Sequence, residues 1–103
     1  MNAEEYMRIL DNLQSLLENQ IEMARKGNFR RVEALAEQAD PVVEKIIKIK
    51  EFENPEFNAQ REHLIKLYKK LELMIAAGKD SISKQLKQVV GGKKILKVYY
   101  KNR

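Results

Sequence analysis

The chain has a single histidine, His63, and no cysteine. A catalytic triad needs partners for that imidazole and a zinc site needs further ligands, so His63 reads as a residue on a helix flank. Carboxylates are numerous, but Glu22–Lys26, Glu44–Lys48 and Glu62–Lys66 each place a base four residues after an acid. That order suits exposed helix faces better than an acid–base dyad. Gly91-Gly92-Lys93-Lys94 lacks the first glycine and the Ser/Thr of a phosphate loop, and it follows a helical pattern rather than a strand. It reads as a helix stop before a basic tail. Nothing here supplies a nucleophile, a metal or a perturbed acid pair in a recognisable arrangement. The expectation is a non-enzyme with no cofactor and no small-molecule substrate.

Charge narrows the partners. The formal net charge of +5 is carried entirely by residues 93–103, where Lys93, Lys94, Lys97, Lys101 and Arg103 meet no acid. The first 92 residues are balanced, so any nucleic-acid reading rests on that tail and not on the fold. Lysines interleaved with Tyr99 and Tyr100 can bind single strands or an anionic membrane surface. Both signals are weak beside a tail that folds back on its own domain or meets a protein partner.

Stepping along the 103 residues, one domain is expected. Four Gly and two Pro are too few for an all-β chain, and a charged fraction of 34% interleaved with Leu and Ile points to long helices. The opening Met-Asn-Ala-Glu-Glu does not resemble a secretory signal, and no apolar run approaches a membrane span. A soluble, cytoplasmic protein is expected.

The spacing predicts helix 1 from about residue 3 to 26, with Tyr6, Leu10, Leu13, Leu17 and Ala24 as core lane and Ile9, Leu16 and Met23 beside it. Gly27-Asn28 ends it. Helix 2 is predicted over 29–51, with Val32, Leu35, Ala39, Val42, Ile46 and Ile49 in one heptad phase and Ala36 and Val43 alongside. Asp40-Pro41 either caps a new helix or bends a continuous one, and the unbroken phase favours the bend. Helix 3 is predicted over 55–90, capped by Asn54 with Pro55 in its first position. Its apolar residues are Phe57, Leu64, Leu67, Tyr68, Leu71, Met74, Ile75, Ile82, Leu86 and Val89.

Short connections make neighbouring helices antiparallel. The predicted fold is all-α: an antiparallel up-down-up three-helix bundle, with a long third helix and a short basic tail or fourth helix over 93–103. Helix 3 should overshoot its partners. Past Gly78 its stripe narrows to Ile82, Leu86, Val89 and Val90, an apolar strip that something must cover.

The pattern resembles the small flagellar export chaperones of the FliT type, and more distantly the FlgN type. The resemblance is carried by the amphipathic helix Tyr6–Met23 running into Lys26-Gly27-Asn28-Phe29, then by the acidic, Leu/Ala-rich Val32-Glu33-Ala34-Leu35-Ala36-Glu37. The long third helix and the ending Gly92-Lys93-Lys94-Ile95-Leu96-Lys97-Val98-Tyr99-Tyr100 complete it. Pro41 and the absence of any acid from the tail are not features that map onto that family's pattern. The resemblance implies a non-enzymatic chaperone of flagellar type III secretion. Its client would be the amphipathic C-terminal segment of a secreted subunit, the filament cap protein or a hook–filament junction protein. It would escort that client to the export gate or ATPase. A C-terminal segment would mask the client site, here Ile95, Leu96, Val98, Tyr99 and Tyr100. The expected client groove lies between helix 2 and the C-terminal half of helix 3, lined by Leu71, Met74, Ile75, Ile82 and Leu86 and continued by Val89. The alternatives are a homodimeric interaction module and, less strongly, a nucleic-acid-binding protein using its tail.

Overall fold

The computed structural model describes residues 2–49 and 55–77. These form three α-helices and one short 3-10 turn, with no strand among the described residues. Helix α1 is Ala3–Arg25, α2 is Phe29–Lys48, and α3 is Asn58–Ala77, entered through a 3-10 turn at Pro55–Phe57. No helix of the described residues is long and apolar enough to cross a membrane.

Local chemistry sets the ends of α1. The Asn2 side chain accepts from the Glu5 amide at 2.8 Å, and Glu4 and Glu5 occupy the first turn. This pairs an N-cap with acids where the helix dipole is positive. At the other end Gly27 adopts φ 76°, a left-handed conformation that favours glycine. Its amide donates to the Ala24 carbonyl at 3.0 Å, and the Asn28 amide donates to that of Met23 at 2.8 Å. Those two bonds make a Schellman cap. Asn28 then caps α2, its Oδ1 accepting from the Arg31 amide at 3.2 Å. One helix stops and the next starts across Lys26-Gly27-Asn28.

Helix α2 continues through Pro41, which is exposed. A proline there removes the hydrogen bond to the Glu37 carbonyl. The helix ends at Lys48 rather than the expected Glu51, because Ile49 turns to extended backbone at φ −89°, ψ 132° and its amide tightens onto the Ile46 carbonyl. The buried lane also differs from the expected heptad. Val32, Ala39, Val43 and Ile46 enter the core, while Val42 and Ile49 are half-buried. A straight helix advances 3.6 residues per turn, so a strict seven-residue phase drifts off the core-facing line.

The start of α3 is a second correction. Pro55 opens a 3-10 turn and the α-helix begins at Asn58. The tighter turn carries Phe57 inward to 2% exposure, with its ring edge-on to Tyr6 at a centroid distance of 4.6 Å. Asn54 and the expected length of helix 3 beyond Ala77 lie outside the described residues.

Helix α1 is the central element. It packs most extensively on α2, then on α3, whereas α2 and α3 scarcely approach one another. Tyr6, Leu10, Leu13, Leu17 and Ala24 of α1 meet Val32, Ala39, Val43 and Ile46 of α2 and Leu64, Ile65, Tyr68, Leu71 and Ile75 of α3 in one core. Leu35 and Ala36 are buried outside that cluster. Two contacts join the start of α1 to the start of α3: Tyr6 with Phe57, and Gln60 Nε2 donating to Asp11 Oδ1 at 2.8 Å.

Candidate functional site

The expected groove residues fall into two groups. Leu71 and Ile75 are buried and belong to the core shared with α1 and α2. Met74 is half-buried and packs against that core, as does Leu67 about two turns earlier. Ile82, Leu86 and Val89 lie outside the described residues, as do Ile95, Leu96, Val98, Tyr99 and Tyr100 of the expected mask. The structure therefore brings Leu71, Met74 and Ile75 together on one side of α3. Of these, Met74 is the one with side-chain surface left for a partner. The large apolar residue most open to solvent on α3 is Leu73, at 72% exposure, and it lies on the opposite face.

The residues tested first for chemistry are at the surface. His63 is exposed, and no group of three or more metal-ligating side chains is found among the described residues. Glu22 lies 3.7 Å from Lys26, and it also pairs with Arg25. Glu4 and Arg8 pair at 3.0 Å with both side chains about three-quarters exposed. Exposed pairs of this kind contribute little stability.

Polar groups sit where periodicity alone demands apolar ones. Gln20 falls between Leu17 and Ala24 in the core lane and is fully buried, and neither its Oε1 nor its Nε2 has a hydrogen-bond partner. Arg61 fills the matching gap between Phe57 and Leu64, is 5% exposed, and donates to Asn58 Oδ1. Tyr68 is fully buried with its hydroxyl unpartnered, and Asp40 Oδ1 is likewise sealed and unpartnered. Burial, and secondarily the Asp40 charge, hold the Tyr68 hydroxyl protonated well above tyrosine's ordinary range. The signal for Gln20 and Arg61 was present in the spacing, since a helix buries a position whatever occupies it. Nothing in the spacing indicated that Asp40 would act on Tyr68.

This arrangement offers an apolar flank with one adaptable thioether and a polar seam between helices. Compared with known proteins, the chain matches no family model, no curated protein and no solved structure.

Proposed function

We propose that this protein is a non-enzymatic, cytoplasmic export chaperone of the flagellar type III system. It binds the amphipathic helical C-terminal segment of a secreted subunit, the filament cap protein being favoured over hook–filament junction proteins. Holding that segment prevents premature assembly until the client reaches the export ATPase or gate. The observation that carries the reading is the whole-chain pattern, from the Lys26-Gly27-Asn28-Phe29 turn to the Gly-basic-Tyr ending.

Physical features support it. The Gly27 turn is consistent with α2 returning along α1, and the Tyr6–Phe57 and Asp11–Gln60 contacts are consistent with α3 running beside α1 in the same direction. Together they favour an up-down-up bundle with α1 at its centre. Because α2 and α3 scarcely meet, a further amphipathic helix laid along their side would find α1 already occupied and an apolar flank at Met74. The strip Ile82, Leu86 and Val89 would extend that flank, and residues 93–103 would compete for it.

Calorimetry of the full chain with a synthetic C-terminal segment of the filament cap protein tests the proposal. Saturable one-to-one binding that tightens when 93–103 are deleted is the expected result. No binding to the cap segment or to junction-protein segments would overturn the function, and unchanged or weaker affinity after truncation would overturn the mask. The homodimeric module predicts self-association without a client. The nucleic-acid alternative predicts binding that falls steeply with salt and is lost with the tail.

A further inference from the structure

The seam between α2 and α3 carries polar chemistry that client binding does not use. Asp40 Oδ1 and the Tyr68 hydroxyl are both sealed from solvent and both lack a hydrogen-bond partner. Leaving such atoms unpaired costs about 1–3 kcal/mol each, more for a charged group. One is an acceptor and the other a donor.

The fold brings them to one level. The turn is centred on Gly27, so equal helical rise on an antiparallel return would put Asp40 at the height of Gln14, each thirteen residues from it. The Tyr6–Phe57 and Asp11–Gln60 contacts set the register of α3, which brings Leu64 to the same height. Tyr68 is one turn further on. A helical side chain leans toward its own N-terminus, and a phenol spans about one helical turn of roughly 5.4 Å. Its hydroxyl therefore arrives near the height of Leu64, and so of Asp40. The faces agree as well. Asp40 is three residues from Val43 and four from Ala36, both buried, so it stands at the margin of the buried face of α2. The sensitivity of the Tyr68 hydroxyl to the Asp40 charge is consistent with that placement.

The backbone beside Asp40 also lacks one helical hydrogen bond. Pro41 follows it directly and takes away the bond to the Glu37 carbonyl. Bending there moves Asp40 without breaking a further hydrogen bond of the helix.

We infer that Asp40 and Tyr68 are the two halves of a latch across the α2–α3 seam, with the Tyr68 hydroxyl donating to Asp40 Oδ1 when α2 bends inward at Pro41. The structure holds the latch open. Closing it satisfies two buried atoms at once and draws together the two helices that otherwise scarcely meet. Any segment seated between α2 and α3 has to open it. The latch is a property of the fold and does not rest on the export reading.

A double-mutant cycle in the full chain tests it, with folding equilibrium constants from denaturant titration of the parent, Tyr68→Phe, Asp40→Ala and the double variant. Tyr68→Phe keeps the ring and its packing. It should lower the folding constant roughly ten-fold in the parent and change it little in the Asp40→Ala background. Amide chemical shifts supply a second readout that survives if Asp40→Ala fails to fold. Tyr68→Phe should move the signals of Glu37 to Val43 across the seam. A folding constant unchanged or raised by Tyr68→Phe overturns the latch, because an unpartnered hydroxyl is removed without loss. Equal losses in both backgrounds, or shifts confined to α1 and α3, overturn it too, since the hydroxyl would then bond elsewhere.

Discussion

The two seams on either side of α2 are built differently. Between α1 and α2 the chain makes a sharp turn with its orphan backbone groups paired by the Gly27 cap and Asn28, and the helices then run together over an apolar lane. Between α2 and α3 there is little contact, and Asp40 of α2 and Tyr68 of α3 each keep a buried polar atom without a partner. The first seam spends its residues on stability. The second keeps groups that a purely structural interface would replace with carbon. Unpaired buried polarity lowers stability, and it occurs at Gln20 of α1 as well as at Asp40 and Tyr68.

Substitutions can break or sharpen this contrast. The largest effect is expected at the centre of the core. Leu17, fully buried in α1, should lose about 2–5 kcal/mol on truncation to Ala, read as a fall in unfolding midpoint. A loss under 1 kcal/mol would mean that α1 is not the shared element.

Alkaline pH should discriminate next. The folded state keeps the Tyr68 proton above the ordinary value of about 10, where the unfolded chain releases it. Stability is therefore full below about pH 10 and should fall as pH rises beyond it, by up to ~1.4 kcal/mol per unit from this group. Tyr68→Phe should remove that share of the slope. An identical slope in the Phe variant would assign the alkaline loss to another group.

Smaller effects follow at the turn and the buried amide. Gly27→Ala should destabilise by about 1–2 kcal/mol, because a Cβ at φ 76° is strained even though no atom lies within 4 Å of it. Gln20→Met keeps an unbranched shape and removes two unpartnered atoms, so it should raise stability by about 1 kcal/mol, measured by the same denaturant titration. A loss on Gln20→Met would show that the amide has a partner in solution.

Much of the fold was legible in the spacing of residues. Helix α1 follows its predicted lane, and Asn2, Gly27 and Asn28 act as caps through chemistry that depends only on local sequence. Helix α2 was misjudged where a seven-residue phase was read onto a helix of 3.6 residues per turn, so Val43 replaces Val42 in the core. Ile65, absent from the predicted stripe, is buried as well, because it lies on the inward side between Arg61 and Tyr68. The 3-10 entry to α3 depends on Phe57 meeting Tyr6, about fifty positions away, and no local signal carries that contact. The candidate site was legible only in part. Met74 could be marked by its residue type and phase. That Leu71 and Ile75 are buried in the core depends on where α1 lies, and the influence of the Asp40 charge on Tyr68 depends on how separate helices pack.

Met74 and Leu73 give the most direct test of client recognition, since they are neighbours in sequence about 100° apart on α3, Met74 packed on the core and Leu73 72% exposed. A lysine at either site keeps an apolar stem and adds a charge at its tip. Binding of the filament cap C-terminal segment should be measured calorimetrically for Met74→Lys and Leu73→Lys, with helicity checked by circular dichroism. The proposed groove predicts at least ten-fold weaker binding for Met74→Lys and parent-like binding for Leu73→Lys. Equal affinity in both variants, or no binding by the parent chain, would contradict it.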